Sequence, residues 1–214
     1  MKEKNAFTLA EVLITLGIIG VVAAMTLPIL VNKYQKKIWE TSFAKSVNTI
    51  INGNKKLFAD EEQFSLCDLK DLECYNPENV NGILIRDGHM DSYMKKLGLD
   101  KKKVDLGMND LFGEDYYVSK DGMCFYPYNI TSNSASFGSD ISFEMFVDTN
   151  CAKNPNQGGR DRFFIIMNEK LKLLNAEVGE QVCKSTIKEP QSNQPAIMLY
   201  CGLYLVENSY NMDY

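Results

Sequence analysis

Few residue types in this chain can do chemistry, and their positions limit it further. Histidine occurs once, as His89 in Arg86-Asp87-Gly88-His89-Met90-Asp91, which removes most Ser/His/Asp, Cys/His and His-ligated metal chemistries. Six cysteines, Cys67, Cys74, Cys124, Cys151, Cys183 and Cys201, include no C-x-x-C pair, so zinc knuckles and thioredoxin-like redox centres are poor readings. Oxygen donors gather in one stretch: Asp148, Asn150, Asn154, Asn156 and Asp161. Calcium favours such hard donors, and Asp148, Asn150, Asn156 and Asp161 are the expected ligands if it binds. Ala152 occupies what would be a ligand position in an EF-hand, and Asx residues beside Pro155 and Gly158 also build turns through side-chain to backbone hydrogen bonds. No other cofactor is expected. A second acidic stretch, Asp110 to Asp115 with Glu114, could hydrolyse a bond if one carboxyl were buried and held protonated. Nothing in the sequence places it in a pocket, so it reads as a solvated loop, and no catalytic residue is expected.

The most unusual side chain is Glu11. Phe7 to Val31 is a block of 25 residues in which Glu11 is the one ionisable group. At ~1.5 Å per residue a helix of this length spans about 37 Å, against a hydrocarbon core of about 30 Å. Three readings compete: a removable secretory signal, a single-pass anchor, and a segment that serves both membrane and assembly. Lys2 and Lys4 supply the basic start of a signal, but the apolar run continues past the weak cleavage site at Val22 to Ala24, and no cysteine lies nearby to accept a lipid. An anchor has no use for Glu11, because an unpaired carboxylate in a membrane costs several kcal/mol. If Met1 to Ala6 were removed, Phe7 would carry a new amino-terminal charge able to pair with Glu11 of a neighbouring copy. Each copy then holds both halves of an ion pair that only helix packing completes.

The run Asn5-Ala6-Phe7-Thr8-Leu9-Ala10-Glu11-Val12-Leu13-Ile14 resembles the class III leader and mature start of type IV pilins and type II secretion pseudopilins. The resemblance implies cleavage by a prepilin peptidase between Ala6 and Phe7, methylation of the Phe7 amine, and an assembly role for Glu11. Ala6 stands where the family usually has Gly. Gly20 and Pro28 sit where such helices commonly carry a Gly and a kink-forming Pro. The implied partners are other pilin-like subunits in a homo- or hetero-oligomer, the prepilin peptidase, an inner-membrane assembly platform and the membrane itself. Nucleic acid is not expected, apart from a role in DNA uptake. The implied localisation is the bacterial inner membrane, single-pass, with the globular domain periplasmic or extracellular and the subunit assembled into a fibre. The rival reading is a membrane-anchored exported enzyme or ligand-binding domain.

The bulk composition agrees with a divided chain. Although 45% of the 214 residues are hydrophobic and the net charge is -5, the apolar content is concentrated in the amino-terminal block. An acidic pI near 5.0 argues against nucleic acid as the main partner, and Lys101, Lys102 and Lys103 read as a solvated turn. All six cysteines follow the block, as expected for disulfides in an exported domain. Cys67 with Cys74 is the easiest local closure, and Cys183 with Cys201 is the next. Lys33, Lys36 and Lys37 outweigh the charge of the leader, so the orientation of the block rests on the resemblance and the cysteines.

The elements follow from periodicity. Tyr34, Ile38, Trp39, Phe43, Val47, Ile50 and Ile51 recur at helical steps, which predicts one long helix ending near Asn52 at Asn52-Gly53-Asn54, its apolar stripe covered by a sheet. A short helix is expected around Asp91 to Leu97 within an otherwise irregular stretch from 60 to 114. Tyr116 to Val118 and Met123 to Tyr126 flank Ser119-Lys120-Asp121-Gly122, a hairpin signal. Ile141, Phe143, Met145 and Val147 mark a half-buried strand, and Arg162 to Met167 a buried one with Asn168-Glu169 turning after it; Pro195 to Val206, apolar almost all round, fits a helix or a strand, and a helix packed under the sheet is the preferred reading. Tyr126 and Tyr128, with their neighbours Tyr116, Tyr117 and Phe125, read as aromatics that pack the sheet. The expected fold is α+β and pilin-like, a long helix packed on an antiparallel sheet. Its organisation is a leader at 1–6, an apolar helix at 7–31, an amphipathic continuation at 32–53 and a globular domain at 54–214. A further stretch, Val147-Asp148-Thr149-Asn150, Pro155-Asn156 and Gly159-Arg160-Asp161-Arg162-Phe163, together with Lys120-Asp121-Gly122, is similar to a strand-loop-strand pattern of pseudopilin-like proteins. Cys151 stands where that pattern has Gly, which implies a disulfide at the loop.

Overall fold

A computed structural model describes residues 8–60, 87–107, 115–134, 139–168, 172–173, 179–186 and 194–214. In chain order the elements are α1 (Leu9–Asp60), α2 (Asp87–Lys96), β1 (Asp100–Lys103), β2 (Asp115–Val118), β3 (Cys124–Ser134), β4 (Ser139–Asp148), β5 (Arg162–Asn168), α3 (Gly179–Thr186) and α4 (Pro195–Glu207). The chain divides into two units, Met1–Ile38 and Trp39–Tyr214. The boundary falls inside α1, beyond the apolar block and short of the expected helix end.

The first unit contains the apolar part of α1. Leu13, Ile14, Leu16, Ile18, Ile19, Val21, Leu27, Ile29 and Leu30 are exposed, and this helix is long and apolar enough to cross a membrane. Its polar side chains are turned inward on the helix backbone: Thr15 Oγ1 donates to the Glu11 carbonyl at 2.9 Å and Thr26 Oγ1 to the Val22 carbonyl at 2.9 Å. Such bonds satisfy a hydroxyl where water is absent. Pro28 lies within the helix and has no N–H for the carbonyl four residues before it. Tyr34 and Ile38 are exposed, so the amphipathic stripe enters the core only from Trp39 onward.

The second unit is an α+β domain around a five-stranded antiparallel meander, in the order β1-β2-β3-β4-β5. One sheet face carries Tyr117, Phe125, Phe143, Met145, Val147, Phe163, Ile165 and Met167, packed with Phe43, Val47 and Ile50 of α1 and Tyr93, Met94 and Leu97 of α2. Phe43 stacks on Phe163 with ring centroids 4.5 Å apart. The long amino-terminal helix is thus packed on an antiparallel sheet, as its stripe predicts. The β2–β3 hairpin also matches expectation: Ser119 N–H donates to the Met123 carbonyl at 2.9 Å, and Gly122 takes a φ of 82° that a side chain would resist.

Four expectations need correction. First, α1 does not stop near Asn52 but runs through Asn52-Gly53-Asn54 to Asp60. Tertiary contacts override the weak helix formers: Gly53 lies where a Cβ would meet Leu97 Cδ2 at 2.1 Å, and buried Asn54 accepts a 2.9 Å hydrogen bond from the Tyr93 hydroxyl. Second, Lys101 to Lys103 belong to strand β1 and not to a turn, pairing Lys101 with Tyr117 and Lys102 with Tyr116. Exposed lysines on an edge strand oppose pairing with another chain. Third, the end of β4 from Met145 to Asp148 is buried on both faces, since Phe146 and Asp148 are as inaccessible as Met145 and Val147. The other face clusters Tyr116, Cys124, Phe146, Phe164, Leu106 and Met198. Fourth, α4 is a helix as expected, but it lies along the outer edge of β5 and not under the sheet. Met198 joins one face while Ile197, Cys201, Tyr204 and Leu205 join the other, and Gly202 sits against the Phe164 backbone.

Candidate functional site

Two places hold the residues singled out by sequence: the start of α1 and the loop between β4 and β5.

At the start of α1, Thr8 immediately precedes the first helical residue and Glu11 follows three positions later, the spacing of a capping box. The bonds are reciprocal. Thr8 N–H and Thr8 Oγ1 both donate to Glu11 Oε2 at 2.8 Å, and Glu11 N–H donates to Thr8 Oγ1 at 3.3 Å. The amides at the head of the helix and the one carboxylate of its apolar block thereby satisfy one another. This arrangement offsets part of the cost of an acidic group at the head of an apolar helix. Ala6 and Phe7 lie outside the described residues. Gly20 sits in open space, with nothing within 4 Å of where its Cβ would be.

The β4–β5 loop brings together the oxygen-rich residues but gives most of their oxygens protein partners. Asp161 Oδ2 accepts from Asn156 N–H at 2.8 Å and Asn150 Nδ2 at 3.1 Å, and Asp161 Oδ1 accepts from Gln157 N–H at 2.7 Å. Asp148 Oδ1 accepts from Asn150 N–H at 3.2 Å, while Asp148 Oδ2 pairs with Arg162 Nε at 2.9 Å. The guanidinium also donates to the Leu106 carbonyl. Burial raises the Asp161 carboxyl, with its backbone hydrogen bonds opposing. Burial, then the Asp161 charge, push the Asp148 carboxyl up to about 7 against the pull of Arg162. Among the described residues no three His, Cys, Asp or Glu side chains gather as a metal site. Asn154 contributes only its carbonyl, to Asn150 Nδ2 at 3.3 Å.

Arg162 is the residue that sequence reasoning missed. It heads the apolar run Arg162-Phe163-Phe164-Ile165-Ile166-Met167, and a cation opening a buried strand is the signal that would have marked it as paired. A second missed feature is the segment after α4, where Met212 N–H donates to buried Glu40 Oε1 at 2.9 Å and Tyr214 Oη to the Gly159 carbonyl at 2.8 Å. Arg160 also lies over the Trp39 ring at 5.8 Å.

Cys183 joins Cys201, tying α3 to α4, and Cys124 joins Cys151, tying β3 to the β4–β5 loop. The first is the second closure read from the sequence, and the other places a disulfide at the loop where Cys151 replaces Gly. Cys67 and Cys74 lie outside the described residues, as do 110–114 of the acidic stretch. His89 falls within α2. The aromatics pack the sheet as expected: Tyr116 stands 5.6 Å from Tyr126 and Tyr128 5.0 Å from Phe164.

A capped acidic residue heading an apolar helix long enough to cross a membrane is joined in sequence to an α+β domain held by disulfides, the arrangement of a chain that can be anchored in a membrane. Residues 1–27 match the family described as the prokaryotic N-terminal methylation motif. The chain therefore carries the amino-terminal signature of type IV pilins and pseudopilins, and the motif supports a pilin-like or pseudopilin subunit. No curated protein and no solved structure matches the chain.

Proposed function

We propose that the chain is a non-enzymatic structural subunit, a pilin or pseudopilin of a type IV pilus or type II secretion-like fibre. The observation that supports this reading most is Glu11, held at the head of an exposed apolar helix inside the methylation motif. In this reading the prepilin peptidase removes 1–6, Phe7 becomes the methylated amino terminus, and its amine pairs with Glu11 of a neighbouring subunit. The helix from 7 to 31 resides first in the inner membrane and then in the fibre core, and Gly20 and Pro28 mark the stretch that loosens on packing. The assembly platform and other pilin-like subunits are the partners, and the domain faces the periplasm or the exterior.

Mass spectrometry of the native amino terminus tests the processing. An N-methylated Phe7 is expected, and an intact Met1 or a start beyond Ala24 would overturn it. Glu11→Ala tests the assembly role: membrane insertion should persist while incorporation into fibres is lost, and unchanged incorporation would contradict it.

A further inference from the structure

The four calcium-type residues of the β4–β5 loop, Asp148, Asn150, Asn156 and Asp161, meet a cation that already belongs to the chain. Asp148 and Arg162 face each other in register where β4 ends and β5 begins, and both side chains are buried, 0% and 1% exposed. A calcium ion takes six to eight oxygen ligands, with carboxylates prominent among them. Here both Asp161 oxygens and both Asp148 oxygens are engaged by donors from the protein. The side-chain oxygens of this set that no donor engages are the neutral amide oxygens of Asn150 and Asn156. A divalent ion would also be repelled by the guanidinium beside it. The donor set therefore does not fit calcium.

We propose that Arg162 is the built-in cation of this loop, doing for its two buried carboxylates what a bound metal would otherwise do. Arg162 compensates Asp148 directly. It also fixes the end of β5, whose backbone closes the loop: Thr149 N–H reaches the Asp161 carbonyl at 2.8 Å and Gly159 N–H the Arg162 carbonyl at 3.0 Å. Arginine suits the role because its guanidinium stays charged when buried and offers several donors in a fixed plane. One donor serves Asp148 and another the Leu106 carbonyl. The Cys124–Cys151 bond pins the opposite side of the loop, so the conformation needs no ion.

The test follows thermal unfolding of the full chain in detergent micelles at about pH 8, where the Asp148 carboxyl is ionised, by near-ultraviolet circular dichroism, with EDTA or with millimolar calcium chloride. The native chain should unfold at the same midpoint in both, whereas a ligand that bound the folded state would raise it. Arg162→Met should lower the midpoint by roughly 10 °C, because it strands a buried carboxylate. Adding Asp148→Asn to Arg162→Met should restore a large part of that loss. A calcium-dependent rise in the native midpoint overturns the proposal even if no variant folds. So does an Arg162→Met chain as stable as the native one, or a loss that Asp148→Asn leaves untouched, since either would reduce Arg162 to a packing residue.

Discussion

Thr8 and Glu11 cap each other: two donors of Thr8 converge on one Glu11 oxygen at 2.8 Å, and the Glu11 amide returns a bond to the Thr8 hydroxyl at 3.3 Å. The residue proposed to pair between subunits is thus already satisfied within one. Assembly would exchange these bonds for an intersubunit pair. Thr8→Val keeps the shape of the side chain and removes the hydroxyl. Amide exchange at residues 9–11 in micelles should quicken by roughly a few-fold, while Thr8→Ser should exchange like the native chain.

Gly202 of α4 lies directly against the backbone of Phe164 in β5. An added Cβ would lie 2.0 Å from the Phe164 carbonyl oxygen and 3.1 Å from its carbon. Because the obstacle is backbone, no rotamer change relieves it, and α4 must move off the edge of β5. Gly202→Ala should cost about 3 kcal/mol, at the upper end of overpacking effects, read as a lower midpoint in thermal or urea unfolding.

The two disulfides among the described residues act on loops of different length, with sequence separations of 27 for Cys124–Cys151 and 18 for Cys183–Cys201. Chain-entropy arguments assign each about 3 to 4 kcal/mol. Replacing either pair by serine should lower the unfolding midpoint by comparable amounts. Equal stability of the oxidised and reduced chains would show that the unfolded chain is not what the crosslinks constrain.

Asp148 sets a pH dependence whose sign is fixed by its environment. Burial and the Asp161 charge raise its folded value from 3.8 to about 7, so between these values the folded chain retains a proton that the unfolded chain has released. This contribution to stability is complete below about pH 4 and is lost as pH rises through about 7. Asp161 shifts in the same direction. The thermal midpoint should therefore fall between about pH 4 and pH 7, and Asp148→Asn should flatten that slope whatever it does to the level.

Much of the amino-terminal unit was legible because its information is local. An apolar run interrupted by one carboxylate specifies an apolar helix without reference to any distant residue, whereas the reciprocal cap between Thr8 and Glu11, also a local pattern, was not read from the sequence. The β2–β3 hairpin around Gly122 and the helical character of Pro195–Glu207 were read from neighbouring residues in the same way. The end of α1 was misjudged because Asn52-Gly53-Asn54 is a weak helix stretch only in isolation. Leu97 and Tyr93, 44 and 39 positions from Gly53 and Asn54, supply the contacts that carry the helix onward. Lys101 to Lys103 became a strand through pairing with β2, which composition does not encode. The oxygen-rich loop was recognised as a cluster, but which of its acids meets a cation depended on the register that sets Asp148 opposite Arg162. Sequence determined by itself the apolar helix, the acid within it and the β2–β3 hairpin, because propensity and hydropathy act within a few residues. The tertiary structure alone decided where α1 ends, that α4 closes the edge of β5, and that the buried carboxylate is balanced by arginine. Each of those depends on which distant groups are brought together when water is excluded from between them.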